Sequence, residues 1–288
     1  MLSTKKRTSK KKPEEVLGII DIGSAQVSGV ILSEHKKVKT EVEELIPWQE
    51  KPDWDRFQSG IEQALRKVAD KLLETKAIPQ DIHIFLSAPF FIGKTTTIKS
   101  GHKEPTEITP PYLSDLIKRH SLFSTDDKNR NLIRLENEIM QIKLDGYPSR
   151  EPLGQMAKSI ELAHWQSYGH ISLLNRLEQI IRSRFASTEL HFHSFAYSIY
   201  EVFSELLPDK DWILIDTGNE LTDILIIKNG YLAEHLSFPY GKNEVIRDLS
   251  KILNTVTSEA GNRLDRLCED KLSKPAIDKI SKALTPIK

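Results

Sequence analysis

One cysteine, Cys268, is the only thiol among 288 residues. No intrachain disulfide can form, and the chain fits a reducing compartment. No apolar run approaches the roughly 20 residues that a membrane-spanning helix needs. The N-terminus is basic but has no hydrophobic stretch behind it, so it does not read as a secretory signal. Net charge is missing as well: 41 Lys and Arg balance 41 Asp and Glu, and no global field favours nucleic acid as a partner. The expectation from these absences is a cytoplasmic protein. What is present, 39% hydrophobic and 28% charged residues, suits a folded globular chain, long enough for two domains.

The charge is uneven along the chain. Lys5, Lys6, Arg7, Lys10, Lys11 and Lys12 precede Glu14 and Glu15, which reads as a solvated, disordered tail over residues 1–15. Its functional alternative is peripheral contact with an anionic membrane through residues 5–12, at the inner face of the membrane, or with an acidic partner.

Beyond the tail, VLGIIDIG (16–23) is an apolar run ending in Asp and Gly, a buried strand feeding a tight turn. Residues 26–32 and 37–46 read as two more strands. Residues 53–76 space Phe57, Ile61, Leu65, Val68 and Leu72 as an amphipathic helix with Asp53 at its start. Residues 81–187 are expected to form an inserted α+β subdomain, with strands at 82–87, 90–99, 137–145 and 157–164 and helices near 110–121 and 171–185. Asp126 and Asp127 fall in its most charged stretch and read as loop. Residues 188–210 return to the first half-domain, which comprises 16–80 plus 188–210. Residues 211–288 form a second half-domain, with strands at 212–218, 221–230 and 231–239 and helix over 243–261.

SAPFFIGKTTT (87–97) formally matches a relaxed phosphate-loop pattern through Ala88, Gly93, Lys94 and Thr95. Such a loop needs small residues whose backbone N–H groups close around phosphate and a helix behind it. Here Pro89 donates nothing, Phe90 and Phe91 fill the space, and the β-branched residues that follow are broken by Gly101 and Pro105. The match is a decoy, and the stretch is expected to be a strand entering a hairpin.

A better phosphate signal is a duplication. IIDIGSAQVSGVIL (19–32) and LIDTGNELTDILII (214–227) both run apolar strand, Asp-x-Gly, polar turn, apolar strand. Asp21 matches Asp216 and Gly23 matches Gly218 at one common offset, far too long for a solenoid repeat. It suits two similar half-domains facing across a cleft. Glycine in such a turn lets backbone approach phosphate without a Cβ in the way. An aspartate at each strand end can bind Mg²⁺ directly or through water.

These motifs resemble the actin-like ATPase superfamily, and within it the FtsA type of bacterial cell division and the PilM type of pilus assembly. GIIDIGSAQVSGVIL is similar to the first phosphate motif of that superfamily. LIDTGNELTDILIIKNGYLAEHLSFPYGKNEVIRDL is similar to the second, through Pro239, Gly241, Asp248 and Leu249. IKLDGYPSREPLGQMAKSIEL (142–162) resembles the inserted subdomain of FtsA-type proteins. The resemblance implies an α/β fold of actin-like, ribonuclease-H-like duplicated half-domains with a small SHS2-like insert. It implies ATP and Mg²⁺ as cofactors and a weak ATPase at most. Asp21 and Asp216 would organise Mg²⁺ and the catalytic water, while Gly23, Ser24, Gly218, Asn219, Thr222 and Asp223 would contact the nucleotide. It further implies self-association, or contact with division or pilus-assembly proteins, through residues 81–187, where 87–97 would be an early hairpin.

Several positions depart from the superfamily pattern. Asn219 and Glu220 replace glycine, and a carboxylate beside phosphate is unfavourable unless it points away. Gln26 stands where a cation is common, and Lys242 and Ile246 replace Gly and Thr. The adenosine-binding Gly-rich motif of the superfamily and the C-terminal amphipathic helix of FtsA have no counterpart before Lys288, as in a C-terminally truncated reading frame. A scaffold of the same fold without nucleotide is the rival reading; a sugar or acetate kinase is disfavoured by the position of the insert.

Other candidates are weaker. His191 and His193 face one side of a strand, but nothing at suitable spacing supplies further zinc ligands. Cys268 reads as a packing or surface residue. Trp165 and Tyr168 read as core or strand-end residues, with an exposed protein contact as the alternative.

Overall fold

The computed structural model describes residues 16–33, 35–120, 131–207, 211–269, 271 and 273–284. The basic stretch 5–12, with its expected membrane contact, and Asp126 and Asp127 lie outside the described residues. Three antiparallel strands open the chain: β1 (Leu17–Ile22), β2 (Gln26–Leu32) and β3 (Val38–Leu45). The helix α1 (Trp54–Glu74) returns the chain to β4 (Asp81–Leu86), which lies parallel to β1. A distant strand, β9 (Glu189–Ser194), pairs parallel with β4, so the five-stranded sheet runs β3-β2-β1-β4-β9.

Alternation decides the two faces of this sheet. Ile20, Ile22, Ile82, Ile84 and Leu86 are fully buried on one face, against Ile61, Leu65, Val68 and Leu72 of α1. Each such side chain contributes about 1.5–3 kcal/mol by leaving water. The Asp53 carboxylate caps α1 by accepting from the Arg56 amide at 2.8 Å. The other face carries Asp21, Asp81, His83 and His191 and stays partly open.

The inserted sheet holds β5 (Phe91–Glu107), β6 (Leu132–Leu144), β7 (Tyr147–Pro148) and β8 (Met156–His170) in the order β5-β8-β6-β7. One helix, α2 (Pro110–Arg119), covers it, capped by the Thr109 hydroxyl and opened by two prolines in the first turn. Leu113 and Leu116 from α2 join Ile98, Ile142, Ile160 and Leu162 in a separate core.

Two expectations change here. The stretch 87–97 does lead into a strand, but β5 forms no hairpin with its neighbour in sequence; it pairs antiparallel with β8 over most of its length. Residues 101–106 shift the register within one strand instead of reversing the chain. The insert boundaries also differ. Residues 81–86 belong to the first sheet, and α3 (Ile171–Arg182) packs its Leu173, Leu177 and Ile181 into the main core beside α1. The separate sheet therefore spans residues 91–170.

After β9, α4 (Phe195–Leu206) leads to β10 (Trp212–Thr217), β11 (Thr222–Lys228) and β12 (Tyr231–Phe238), an antiparallel sheet in that order. Leu225, Ile227 and Leu232 bury one face in the main core. On the other face Ile213 and Ile215 are 63% and 64% exposed. Three helices follow: α5 (Lys242–Leu253), α6 (Thr257–Cys268) and α7 (Lys274–Leu284). The single helix expected over 243–261 is broken because Asn254 adopts a left-handed conformation, φ 50°, that closes α5. Trp165 is wholly buried and Tyr168 nearly so, while Cys268 is exposed.

Candidate functional site

The duplication is exact enough to be seen bond by bond. Asp21 and Asp216 are each the last residue but one of their strands, β1 and β10. The first turn closes through the Gly23 amide donating to the Gln26 carbonyl at 3.1 Å. The second closes through the Gly218 amide donating to the Leu221 carbonyl at 2.9 Å, the same bond at the matching positions. The two turns touch: the Glu220 amide donates to the Ser24 hydroxyl oxygen at 3.4 Å.

Between them lies a cavity of about 360 Å³ whose lining includes Asp21, Gly23, Ser24, Asp216, Gly218 and Asp223. Ser87, Ala88 and Phe195 also line it. Burial, and then the nearby charge of Asp216, pushes the Asp21 carboxyl up to about 6. Burial, then Asp223, likewise raises Asp216. The Oδ1 atom of Asp21 is buried and has no hydrogen-bond partner. A buried orphan oxygen beside further carboxylates is the donor set that a divalent cation satisfies. Asp21 and Asp216 fit a Mg²⁺ ion on that ground.

Not every expected residue reaches this cavity. Asn219 and Thr222 do not line it. The Thr222 hydroxyl donates to the Tyr240 carbonyl at 2.7 Å, and the Asn219 carbonyl accepts from the Asn243 amide at 2.8 Å. Both hold the end of the sheet to the start of α5. Asp223 does line the cavity, but it is held by His235 Nε2 at 3.2 Å, with both side chains over 90% buried. The glycine amides are engaged in their own turns, so the backbone phosphate contacts expected of Gly23 and Gly218 are not offered by those two N–H groups.

The glycines contribute space instead. A Cβ at Gly218 would lie 2.5 Å from the Ser24 oxygen and 3.2 Å from the Leu221 carbonyl, so only glycine lets the turns meet. A Cβ at Gly23 would meet nothing closer than 3.6 Å. Two different outcomes are expected. Gly218→Ala lowers stability by about 1–3 kcal/mol, the usual cost of overpacking, measured as a shift in the urea midpoint. Gly23→Ala leaves that midpoint within about 0.5 kcal/mol, as an uncrowded substitution should.

Sequence reasoning left Glu220 as an electrostatic problem, and the structure resolves it. Its carboxylate turns to Arg247 of α5, which donates to both oxygens at 2.9 and 3.0 Å. Asn243 donates to it as well, at 2.7 Å. Arg247 also donates to Glu244 and to the Gln49 carbonyl ahead of α1, and its guanidinium lies 5.1 Å from the Trp48 ring centre. Of the other departures, Gln26 donates to Ser28, Lys242 pairs with Asp265, and Ile246 enters a small core with Leu249 and Ala260. Arg247 went unnoticed because a lone arginine on an amphipathic helix carries no local signal.

No protein-family model matches the sequence, and no curated protein matches it. Among solved structures, 161 chains match. A chain of a PilM–PilN type IV pilus biogenesis complex superposes with a TM-score of 0.59 at 11% identity, over 94% of this chain and 72% of that one. An ethanolamine utilization protein, EutJ, from Carboxydothermus hydrogenoformans gives 0.44 at 12%, over 96% and 67%. A Bacteroides thetaiotaomicron protein with an actin-like ATPase fold and unknown function gives 0.43 at 12%, over 87% and 81%. The likeness at a TM-score of 0.59 shows the actin-like α/β fold that the resemblance implied. At 11% identity the pilus-complex likeness establishes that fold alone.

Proposed function

We propose that the chain binds ATP·Mg²⁺ between its two half-domains and that the nucleotide sets an assembly equilibrium, as an FtsA/PilM-like protein of cell division or pilus-type assembly. The observation that carries this reading is the convergence of Asp21 and Asp216, from matched strand ends, on one cavity with a buried orphan oxygen. Mg²⁺ would neutralise phosphate charge there. Asp21 and Asp216 would hold it, Ser24 would face the phosphates, and Phe195 would restrict water in the cavity. The protein supplies positioning and not covalent chemistry, consistent with a weak ATPase at most.

Partner contact is assigned to the region 81–187. An aromatic groove of about 400 Å³ supports it, lined by Trp54, Phe91, Ile92, Tyr168, His170 and Arg176 where the insert meets α1 and α3. A neighbour of the same fold belongs to a PilM–PilN complex, so a pilus-assembly protein is one partner class and a second copy of this chain another. Among the described residues no helix is long and apolar enough to cross a membrane. Work at the inner face of a membrane would need the basic residues 5–12.

The rival reading is a scaffold of the same fold without nucleotide. The engaged glycine amides and the positions of Asn219 and Thr222 outside the cavity favour it. Calorimetry separates the two. On our reading Asp21→Ala and Asp216→Ala each weaken ATP·Mg²⁺ binding at least tenfold, while the far-ultraviolet spectrum stays native. If the wild type binds and neither variant loses affinity, the site lies elsewhere; if partner assembly proceeds identically with and without ATP, the scaffold reading stands.

A further inference from the structure

A second cluster of ligating groups lies on the open face of the five-stranded sheet, well away from the cleft. The parallel pairing of β4 with β9 sets Asp81 opposite Glu189, His83 opposite His191 and Phe85 opposite His193. Two short sequences, Asp-Ile-His at 81–83 and Glu-Leu-His-Phe-His at 189–193, thus bring three imidazoles and two carboxylates to one face. The ligand atoms of Asp81, Glu189 and His191 all lie within 4.8 Å of one another. His191 Nε2 is already 2.9 Å from Asp81 Oδ1. These residues supply the ligands that the spacing of His191 and His193 alone did not offer.

Two features make the cluster more than a polar patch. First, two carboxylates directly opposite on neighbouring strands repel each other, and a cation between them converts that repulsion into attraction. Second, the imidazoles beside them are packed against one another. His83 Nδ1 and His193 Nε2 share a hydrogen bond of 2.9 Å, which requires that at least one ring be neutral. The ring of His83 stacks 4.9 Å from that of His191 and 5.1 Å from that of His193. The rings of His83 and His193 thus form one packed wall beside the carboxylates.

We propose that Asp81, Glu189 and His191 bind a divalent transition-metal ion of the zinc class, with water in the remaining position. Zinc takes oxygen and imidazole ligands at about 2.0–2.2 Å, so a tetrahedral set spaces its ligand atoms by about 3.4 Å. The ligand atoms lie within 4.8 Å of one another here, so a bound ion would draw them together. One imidazole with two carboxylates selects against Ca²⁺ and Mg²⁺, which prefer all-oxygen surroundings. The site is distinct from the nucleotide cleft: Asp21 pairs in register with Phe85, four residues along β4 from Asp81, or about 13 Å at ~3.3 Å per residue. A bound ion would clip the edge strand β9 to β4, just ahead of Ser194, whose hydroxyl caps α4 by accepting from the Tyr197 amide at 3.4 Å.

The test is calorimetric titration of the full chain, stripped with EDTA and free of nucleotide, with Zn²⁺ alone. One equivalent is expected to bind. His191→Ala and Asp81→Asn should each weaken it at least tenfold, and Asp21→Asn should leave it unchanged. Co²⁺ in place of zinc should give a four-coordinate visible band in the wild type that is absent from His191→Ala; the wild-type band needs no variant and covers the case of a variant that misfolds. Absence of zinc binding, equal binding by His191→Ala, or loss in Asp21→Asn in place of Asp81→Asn would each overturn the proposal.

Discussion

Asp21→Asn is expected to make the nucleotide-free protein more stable at pH 7.5, by about 2–3 kcal/mol. The carboxyl of Asp21 stands at about 6 in the folded chain against an ordinary value of 3.8. A raised carboxyl means that the folded state holds its proton where the unfolded chain has released it. The unfolded chain gives up the proton near pH 4 and the folded one near pH 6, so stability falls as pH rises through that window and stays low above it. Asparagine carries no charge to lose. The gain should therefore be present at pH 7.5 in EDTA and vanish at pH 4, where wild type and variant both carry a neutral group. Urea unfolding at the two pH values reads the difference. ATP with Mg²⁺ should reverse the order at pH 7.5, because the ion needs the ionised form that the empty site penalises. An asparagine variant no more stable than wild type at pH 7.5 would mean that Asp21 is not strained by its surroundings.

Arg247→Met is expected to cost about 3 kcal/mol, in the range found when one partner of a buried ion pair is removed. Arg247 has only 6% of its side chain exposed, and Glu220 has 21%. Without the guanidinium, the Glu220 carboxylate keeps only Asn243, and the Gln49 carbonyl loses its donor. Arg247→Lys should recover less than half of the loss, since an ammonium cannot form the two parallel bonds to Glu220 while also reaching Gln49. Thermal or urea unfolding measures the cost. A double-substitution cycle with Glu220→Gln isolates the pair, and a coupling above about 1 kcal/mol is expected for groups in direct contact. Because Arg247 joins the second turn to residues 48–49, its loss should also loosen the cleft. A cost below about 0.5 kcal/mol, the scale of an exposed pair, would mean that this contact adds little to holding the second turn to residues 48–49.

Much of the framework was legible because it is periodic. β1 and β10 were legible as apolar runs ending in Asp-x-Gly, and the spacing in α1 follows from one buried stripe. The two Asp-x-Gly turns were legible because they repeat, and their closing bonds occur at matched residues. What stayed hidden depends on partners remote in sequence. Residues 81–86 alternate equally well for either sheet, and only pairing with β1 assigns them. Phe91–Ile98 reads as a strand, but its partner β8 lies beyond α2 and β6. Glu220 could be judged only against Arg247, 27 residues on, and His191 only against Asp81, 110 residues back. Thr222 and Asn219 have the chemistry of phosphate contacts, yet the backbone around Tyr240 and Asn243 claims them.

The most direct test of the account is ATP affinity measured by calorimetry on the wild-type chain at pH 7.5, first with Mg²⁺ and then with EDTA. Two carboxylates gathered at one cavity repel a bare polyphosphate and attract its magnesium complex. The account predicts a dissociation constant in the micromolar range with Mg²⁺ and a value at least tenfold weaker without it. Equal affinity under both conditions, or no binding in either, would contradict the claim that Asp21 and Asp216 together form a cation-dependent nucleotide site.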